Sequence, residues 1–263
     1  VYSKWMEAFP AKSKNAEETK GGLRRYMGPQ AEPCYIYSDN SGEIKKAIID
    51  LKWADRHSTS TPNRPQSNGL IEQLMRHVKQ GTRSVLLQSG LDTAWWSEAM
   101  SCFCYVHNVL DAGSEEKTAF RRRFGEEFSG PQLAFGCSIR YKPSSPKVHN
   151  QMHPFGSQTL PGIFMGYHLK PGGVWSGDIF VVDSEELSAA DKPSEVTARR
   201  VHFKEMTCDL PYSFPVKEGK VKQPLTLLIG AGRARNRMVS WHTEREAERA
   251  TEEEEKVSRS EGD

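Results

Sequence analysis

The sequence predicts a mixed α/β fold followed by a small all-β unit, and three observations support this fold class. Over residues 1–113, short aromatic and β-branched runs alternate with amphipathic helical segments. From Leu133 onward, the apolar residues instead fall in short strands that Gly and Pro turns separate. With 263 residues, of which 10% are aromatic, the chain is long enough to form one or two domains with hydrophobic cores.

The elements of the first 60 residues follow from caps, breakers and periodicity. Tyr2, Trp5 and Phe9 suggest a strand that Pro10 interrupts. Asn15 is a good helix cap, and acidic residues in the first turn favour the helix that follows it. In order, we predict a strand within residues 1–14, a helix from Asn15 to about Met27, a strand at 34–38 that leads to Asp39, and a helix from Glu43 to Asp55.

The next helix opens after a loop rich in Pro, Asn, Ser and Gly, and Glu72 lies in its first turns. At about 100° per residue, the apolar residues from Leu70 to Leu86 share one broad face that should point to the core. A separate stripe, roughly 60° wide, combines one acid with three bases. Its members are Glu72, Arg76, Lys79 and Arg83.

Asp39 and Glu72 are the two carboxylates of interest, and they lie 33 positions apart. An acid at the end of a strand and an acid on a helix can converge on one divalent cation, since hard metal ions prefer oxygen ligands. The three bases would then continue along a phosphate backbone. The alternative is an ordinary amphipathic helix whose charged face is solvated.

The amino-acid sequence around these acids resembles that of the integrase core of Copia-type LTR retrotransposons. Residues 38–43 read SDNSGE, His57 and Ser58 form an H-x-S-like segment, and residues 66–72 read QSNGLIE. These segments match an SDNGGE-like strand end and a TP-x-x-NG-x-x-E helix start, although Ser41 replaces the usual Gly and Gln73 the frequent Arg. The resemblance implies an RNase H-like fold that is truncated at its first strand.

The same resemblance implies a DDE triad with Asp39 as the second acid and Glu72 as the third, binding Mg²⁺ or Mn²⁺. The first Asp of the family would precede Val1, so the sequence leaves open whether this fragment is an enzyme. Glu7 is the nearest possible substitute, although strand alternation argues against it. Glu43 could support the metal-binding acids, or it could simply be a first-turn acid that the helix dipole favours.

The loop before the Glu72 helix carries two further candidates, His57 and Asn68. In the functional interpretation both contact DNA near the metal ions, and Asn68 shares a helix edge with Glu72 because four residues separate them. The alternative assigns them to turn and cap chemistry.

A nearly all-apolar helix, capped by Asp92 and running from Thr93 to Leu110, should be buried. Its Cys102, Cys104 and His107 invite a zinc interpretation. Core packing is the better interpretation, because Cys102 lies about 200° from Cys104 around the helix and tetrahedral zinc would need ligands from elsewhere.

The second half resembles the small SH3-like barrel that follows the core in Copia-type polyproteins, through FG-x-x-x-Y, G-x-F-x-GY and V-x-F segments. A run of three bases, Arg121 to Arg123, could bind phosphate or form a solvated face. The predicted division is a truncated integrase core at 1–113, a basic connector at 114–131, an SH3-like β domain at 132–209, and a linker with an acidic disordered tail at 210–263.

Charge and composition limit the classes of partner that the chain could bind. From Thr243 onward the chain carries nine acidic and four basic residues, so that a tail of −5 follows a body of +7. A basic body fits a polyanion partner, or it is ordinary solubility charge. The five cysteines show no disulfide spacing. No apolar run is long enough to cross a membrane, so no membrane partner is expected.

The resemblance implies DNA integration, with 3′ processing and strand transfer on the DNA of element ends and target. It further implies a homo-oligomer that associates with other polyprotein products, in the nucleus for integration and in cytoplasmic particles during assembly. Two other functions stay open. One is a catalytically inactive nucleic-acid-binding relic, and the other is a structural interaction module of the polyprotein.

Overall fold

A computed structural model describes residues 3–60, 69–112, 116–143, 153 and 155–225. Helices and strands alternate in the first half, and strands dominate the second half. In chain order the elements are α1 (Ala16–Met27), β1 (Ile36–Ser38), α2 (Gly42–Asp50), β2 (His57–Thr59), α3 (Gly69–Ser89), α4 (Trp96–Leu110), α5 (Ala119–Phe124), β3 (Ser138–Tyr141), β4 (Leu160–Leu169), β5 (Trp175–Asp183), α6 (Ser184–Ala189), β6 (Ala198–His202) and β7 (Met206–Thr207).

The N-terminal helices form largely as predicted. Asn15 caps α1, because its side-chain oxygen accepts a hydrogen bond from the Glu18 backbone N–H at 2.8 Å. Helix α2 is shorter than predicted and ends at Asp50. The chain leaves this helix through Lys52, whose φ is +63°, and thereby buries the side chain of Trp53.

The strand predicted within residues 1–14 is wrong, because residues 3–14 form no strand. A side chain from a helix supplies the backbone hydrogen bonds that a neighbouring strand would otherwise make. The amide of Asn108, on α4, accepts a hydrogen bond from the Met6 backbone N–H at 2.9 Å and donates one to the Met6 carbonyl at 2.6 Å. Both backbone groups of Met6 are therefore satisfied without a β-ladder.

Helices α3 and α4 pack closely against each other. A Cβ added at Gly81 would lie 2.0 Å from the ring of Phe103, so only glycine permits this approach. Val78 and Leu86 of α3 are buried, as the broad apolar face predicts. The prediction is wrong for the first turns of α3, where apolar side chains of that same face are exposed: Ile71, Leu74 and Met75.

The second half contains a five-stranded antiparallel sheet with the strand order β6-β5-β4-β3-β7. The four longer strands match predicted strands, whereas the two-residue β7 was not predicted. Strand β4 carries a register irregularity between Phe164 and Gly166, where Gly166 adopts a φ of +132°. The mixed α/β fold class is thus confirmed, while a separate pair of strands, β1 and β2, is parallel.

One continuous hydrophobic cluster joins the two halves of the chain. It includes Trp95 and Cys102 from the helical half and Ile163 and Val181 from the sheet. Residues of both predicted domains therefore contribute to a shared core.

The interpretation of residues 210–225 as linker is wrong. Gln223 accepts a hydrogen bond from the Asp92 backbone N–H at 2.8 Å and donates one to the Gly90 carbonyl at 2.7 Å. Apolar side chains from the same stretch pack on the shared core: Tyr212, Phe214, Val216 and Val221. The remainder of the predicted tail lies outside the described residues.

Within the described ranges, none of the helices combines the length and the apolar character that crossing a membrane requires.

Candidate nucleic-acid interface

Asp39 follows directly after β1 and is exposed to solvent. Its Oδ1 atom accepts two hydrogen bonds from Ser41, from the backbone N–H at 3.2 Å and from the hydroxyl at 2.8 Å. This local turn fixes one carboxylate oxygen of Asp39, and the other accepts no hydrogen bond from the residues that the structure describes. The prediction that a strand delivers Asp39 is confirmed.

The end of β1 is tied to β2 by two side-chain hydrogen bonds. Ile36 to Ser38 pair in register with His57 to Thr59, so the prediction that His57 lies in a loop is wrong. The Ser38 hydroxyl and the His57 Nε2 atom lie 2.8 Å apart, and the Asn40 amide donates to the Ser60 carbonyl at 2.8 Å. His57 therefore has a structural partner near Asp39, and its contact with DNA stays a prediction.

Sequence reasoning noted Ser41 only as a departure from the family pattern and missed its contact with Asp39. An Asp side chain commonly accepts a hydrogen bond from the backbone N–H two residues further on, so Asp39 at a predicted strand end could have indicated the backbone part of this contact. The bond from Asn40 to Ser60 had no comparable signal, because it joins two strands that are distant in sequence.

The predicted stripe of α3 forms as a single surface. Glu72, Arg76, Lys79 and Arg83 line one shallow groove, together with Ile71, Met75 and Gln80. All four charged side chains are exposed. In the part of the chain that the structure describes, no hydrogen bond or ion pair engages the side chains of the three bases, so their charge is free to meet a polyanion.

The structure places the candidate residues in two groups. Asp39 and His57 lie at the end of the β1–β2 pair, and Glu72 lies with the bases on α3. Within the described ranges, no hydrogen bond or ion pair joins the two groups. Asn68, a predicted DNA contact, lies outside the described residues.

The donor chemistry of Asp39 and Glu72 suits a hard dication, because both offer exposed carboxylate oxygens. Among the described residues, however, no group of three or more His, Cys, Asp and Glu side chains could hold a metal ion. The two acids therefore fit Mg²⁺ in ligand type but fall short of a complete ligand set.

Glu43 and Glu7 have other partners. Glu43 forms an ion pair with Lys14 at 3.0 Å, and a hydrogen bond from its own backbone N–H, assisted by Lys14, lowers its pKa. These contacts support the interpretation of Glu43 as a first-turn acid of α2. Glu7 is half-buried and accepts a hydrogen bond from the Trp5 indole at 3.3 Å, and burial raises its pKa.

The run Arg121 to Arg123 is engaged within the protein. Arg123 donates to the carbonyls of Tyr26 at 2.9 Å and Gly172 at 3.0 Å, and its guanidinium lies 5.1 Å from the centre of the Trp5 ring. Arg121 pairs with Glu127 at 2.7 Å. Arg123 thus acts as a structural clamp, which argues against a phosphate-binding role for the run.

Cys102 and Cys104 lie in hydrophobic clusters, which supports core packing over a zinc site. Burial raises the pKa of the Cys104 thiol to about 12, so this thiol stays protonated near neutral pH. His107 contacts Asp111 instead, with its Nδ1 atom 3.2 Å from the carboxylate.

The fold and these side chains define a mixed α/β protein with a basic helix and two exposed candidate acids. Sequence comparison adds three relatives, all described as retrovirus-related Pol polyproteins. The polyprotein of transposon TNT 1-94 from Nicotiana tabacum is 29% identical over 180 residues, which is 61% of this chain. Those of transposons RE2 and RE1 from Arabidopsis thaliana are 28% and 29% identical over 140 and 138 residues, each 51% of this chain.

The curated relatives are therefore retrovirus-related Pol polyproteins of plant transposons, and the predicted recognition of a retrotransposon polyprotein is confirmed. The matched region spans only 13%, 9% and 9% of the lengths of these relatives. No protein-family model matches the chain.

Among solved structures, the chain is similar to one from a simian T-cell lymphotropic virus intasome in complex with the PP2A regulatory subunit B56 gamma. The identity is 18%, and the similarity covers 75% of this chain and 65% of the other. The TM-score of 0.36 is too low to establish a common fold.

Proposed function

We propose that this chain is the integrase region of a Copia-type retrotransposon polyprotein and that it acts in DNA integration. The observation that carries the proposal is the groove of α3, where Glu72 is followed by three exposed bases that have no hydrogen bond or ion pair among the described residues. The homology to transposon Pol polyproteins supports an integrase-related role. The RNase H-like and SH3-like assignments and the domain boundaries belong to the same proposal.

In this proposal Asp39 and Glu72 hold the divalent cation, and Ser41 orients Asp39 through its hydroxyl and backbone N–H. Mg²⁺ or Mn²⁺, when bound, supplies electrostatic stabilisation for the charge that develops on phosphate oxygens during phosphoryl transfer. Arg76, Lys79 and Arg83 hold the DNA backbone in register.

His57 and Asn68 complete the proposed DNA surface near the acids. The partners proposed with it are the DNA of the element ends and the target, further copies of this chain, and other products of the polyprotein. The proposed locations are the nucleus during integration and cytoplasmic particles during assembly. Binding and orientation are the roles that this chain's own side chains fulfil, since phosphoryl transfer depends mainly on positioning and electrostatics.

The two other functions from the sequence differ from this proposal in measurable ways. An inactive relic would bind DNA with a strong salt dependence but transfer no strands. A structural interaction module would do neither, and its sheet would be the working part. The unpaired bases of α3 favour DNA binding over the interaction module.

The test compares strand transfer by this chain with that by a longer protein that includes the residues preceding Val1. Both are assayed on element-end DNA with Mg²⁺ and with Mn²⁺. We expect the longer protein to be active and its Asp39→Asn variant to lose strand transfer while keeping DNA binding within about twofold, because only the metal-binding acid is changed.

Asp50→Asn is the matched control, because Asp50 is an exposed acid at the end of α2 and is expected to have no role in metal binding. Full activity of Asp39→Asn would disprove the assignment of Asp39. If neither this chain nor the longer protein transfers strands while both bind DNA normally, the result would favour the inactive nucleic-acid-binding relic.

A further inference from the structure

The groove of α3 carries positive charge that the described part of the chain does not neutralise. Three bases and one acid line it, so its formal net charge is +2. Arg76, Lys79 and Arg83 are exposed, and none of them forms an ion pair or a hydrogen bond with the described residues. Ile71 and Met75 in the same groove are each 50% exposed. Such a groove attracts any polyanion that can reach it, including one that belongs to the same chain.

The chain itself contains a polyanion of this kind. Glu252 to Glu255 are four consecutive acids, which we call the acidic run. They belong to the segment from Thr243 onward, which carries nine acidic and four basic residues. The acidic run lies outside the described residues. Its charge is opposite to that of the groove and larger than the charge of the three bases.

The length of the acidic run matches the spacing of the bases. Arg76 and Arg83 lie about 10 Å apart along the axis of α3, at a rise of about 1.5 Å per residue. Four successive residues of an extended chain cover a similar length, about 10 Å from the first Cα to the last. An extended acidic run can therefore place carboxylates along the whole row of bases.

The described chain leads toward the helix that carries the groove. Gln223 donates a hydrogen bond at 2.7 Å to the carbonyl of Gly90, the residue that follows α3. Lys217 packs so closely on Gly90 that an added Cβ there would lie 2.6 Å from the Lys217 Cα. Leu225, two positions after Gln223, ends the described part of this stretch and is 70% exposed. The chain thus leaves the described body beside the C-terminal end of α3.

The residues between Leu225 and the acidic run are long enough to reach the groove. Along α3, Gly90 lies about 10 Å from Arg83 and about 21 Å from Arg76, at a rise of about 1.5 Å per residue. A flexible chain with the length of residues 226–251 spans about 25–30 Å. A tether of this length gives the acidic run an effective concentration at the groove on the order of millimolar. Even a weak contact is then populated within single molecules.

We propose that the acidic run binds the α3 groove of its own chain and competes there with the DNA backbone. Its carboxylates pair with the bases that phosphates would otherwise contact. The competition rests on the proposed function, because it requires that the same groove binds DNA. DNA must displace the acidic run to enter the groove, so the contact lowers DNA affinity most at low salt, where ion pairs are least screened.

Carbodiimide crosslinking of the full chain without DNA tests the contact directly. The reagent joins a lysine amine to a carboxylate that touches it, with net loss of water, and mass spectrometry identifies the linked pair. We expect Lys79 to be linked to the acidic run within single copies of the chain. The yield should exceed that at Lys46, an exposed lysine of α2, by about fivefold or more, and it should fall as salt is added.

DNA binding by the full chain at low salt tests the competition. One variant neutralises the acidic run: Glu252→Gln, Glu253→Gln, Glu254→Gln, Glu255→Gln. The matched control neutralises four exposed acids of the described body: Asp50→Asn, Glu116→Gln, Glu126→Gln, Glu185→Gln. Both variants change the net charge equally, so a general effect of charge is shared between them. We expect the first to bind DNA about fivefold more tightly than the control, as the release of three exposed ion pairs allows.

That gain should disappear when the three bases of the groove are also replaced by Gln, because the acidic run then has no site to block. If the variant that lacks only the three bases bound DNA as tightly as the natural chain does, the proposed DNA interface would fail. The crosslink to Lys79 would still decide whether the acidic run binds the groove, so the two failures are distinguishable.

Four results would overturn the proposal. The yield at Lys79 could be no higher than that at Lys46, or the crosslinks could form chiefly at Lys217 and Lys222, where the chain leaves the described body. The links could also join separate copies only. Equal DNA affinity of the acidic-run variant and its control would show that the acidic run does not compete with DNA.

Discussion

The sheet body, residues 132–225 with α4, differs sharply from the acid-bearing segment, residues 35–60. In the sheet body, β4 and β5 each contain a run of buried residues that pack in the shared core. In the acid-bearing segment only Ala47, Ile48 and Trp53 are buried apolar residues, while apolar side chains next to its strand, on its strand and on its helix are exposed: Tyr35, Tyr37 and Ile49.

This difference separates the source of stability from the proposed site of function. The sheet body has the buried area that stabilises a fold. The acid-bearing segment and the first turns of α3 present charged and apolar groups to solvent, as a surface that binds a partner would. Substitutions should therefore affect folding in one region and binding in the other.

The largest expected effect comes from one substitution made in both regions. Ile163→Ala, at a side chain that is 0% exposed in β4, should lower the free energy of unfolding by about 2–5 kcal/mol, because it opens a cavity. Ile49→Ala, at a side chain that is 63% exposed in α2, should change it by less than about 0.5 kcal/mol. Denaturant titration measures both, and equal losses would remove the distinction between the regions.

A second contrast uses two asparagines that hold backbone groups. Asn108→Ala leaves the buried N–H and carbonyl of Met6 without partners, which should cost about 2–4 kcal/mol. Asn40→Ala loses one part-buried bond, from the exposed Asn40 to the carbonyl of the buried Ser60, and should cost about 1 kcal/mol. If Asn108→Ala were as mild as Asn40→Ala, the N-terminal segment would not depend on α4 for its placement.

The smallest expected effect concerns pH. Burial raises the pKa of Glu7 above its model-compound value of 4.5, so the folded state binds this proton more readily than the unfolded state does. The stability that this group contributes is consequently present below pH 4.5 and is lost as the pH rises through its raised pKa. Glu7→Gln should gain stability relative to the natural protein as the pH rises above the ordinary glutamate pKa of 4.5, as measured by melting temperature.

The control for this pH series is Glu126→Gln, an exposed acid that should show no such trend. If Glu7→Gln instead lost stability toward neutral pH, attraction to Arg25 and Arg123 would outweigh the cost of burying the carboxylate.

Local signals predicted most elements, and long-range contacts account for the errors. The cap at Asn15 and the Gly and Pro turns that separate the short apolar runs are local signals, so the sequence was sufficient to place α1 and the longer sheet strands. The N-terminal segment was predicted as a strand because the amide of Asn108, distant in sequence, could not be foreseen as its partner. The same reason applies to Gln223, which fixes a stretch that composition had assigned to a linker.

The candidate site was predictable in part for the same physical reason. Helical periodicity placed Glu72 and the bases on one stripe, and they line one groove. Periodicity did not reveal that Ile71 and Met75 would stay exposed, because burial depends on what packs against a helix. The ligand set of a metal ion depends likewise on long-range assembly, so the metal site remains a proposal.

The central claim is that the α3 groove binds the DNA backbone, and the salt dependence of DNA binding tests it most directly. The variant Arg76→Gln, Lys79→Gln, Arg83→Gln is compared with the natural chain and with a control that loses three exposed bases elsewhere, Arg24→Gln, Lys217→Gln, Lys222→Gln. We predict that the slope of log affinity against log salt flattens by about two to three units in the first variant, as the loss of three phosphate contacts requires. The control should keep the natural slope, and an unchanged slope in the first variant would contradict the account.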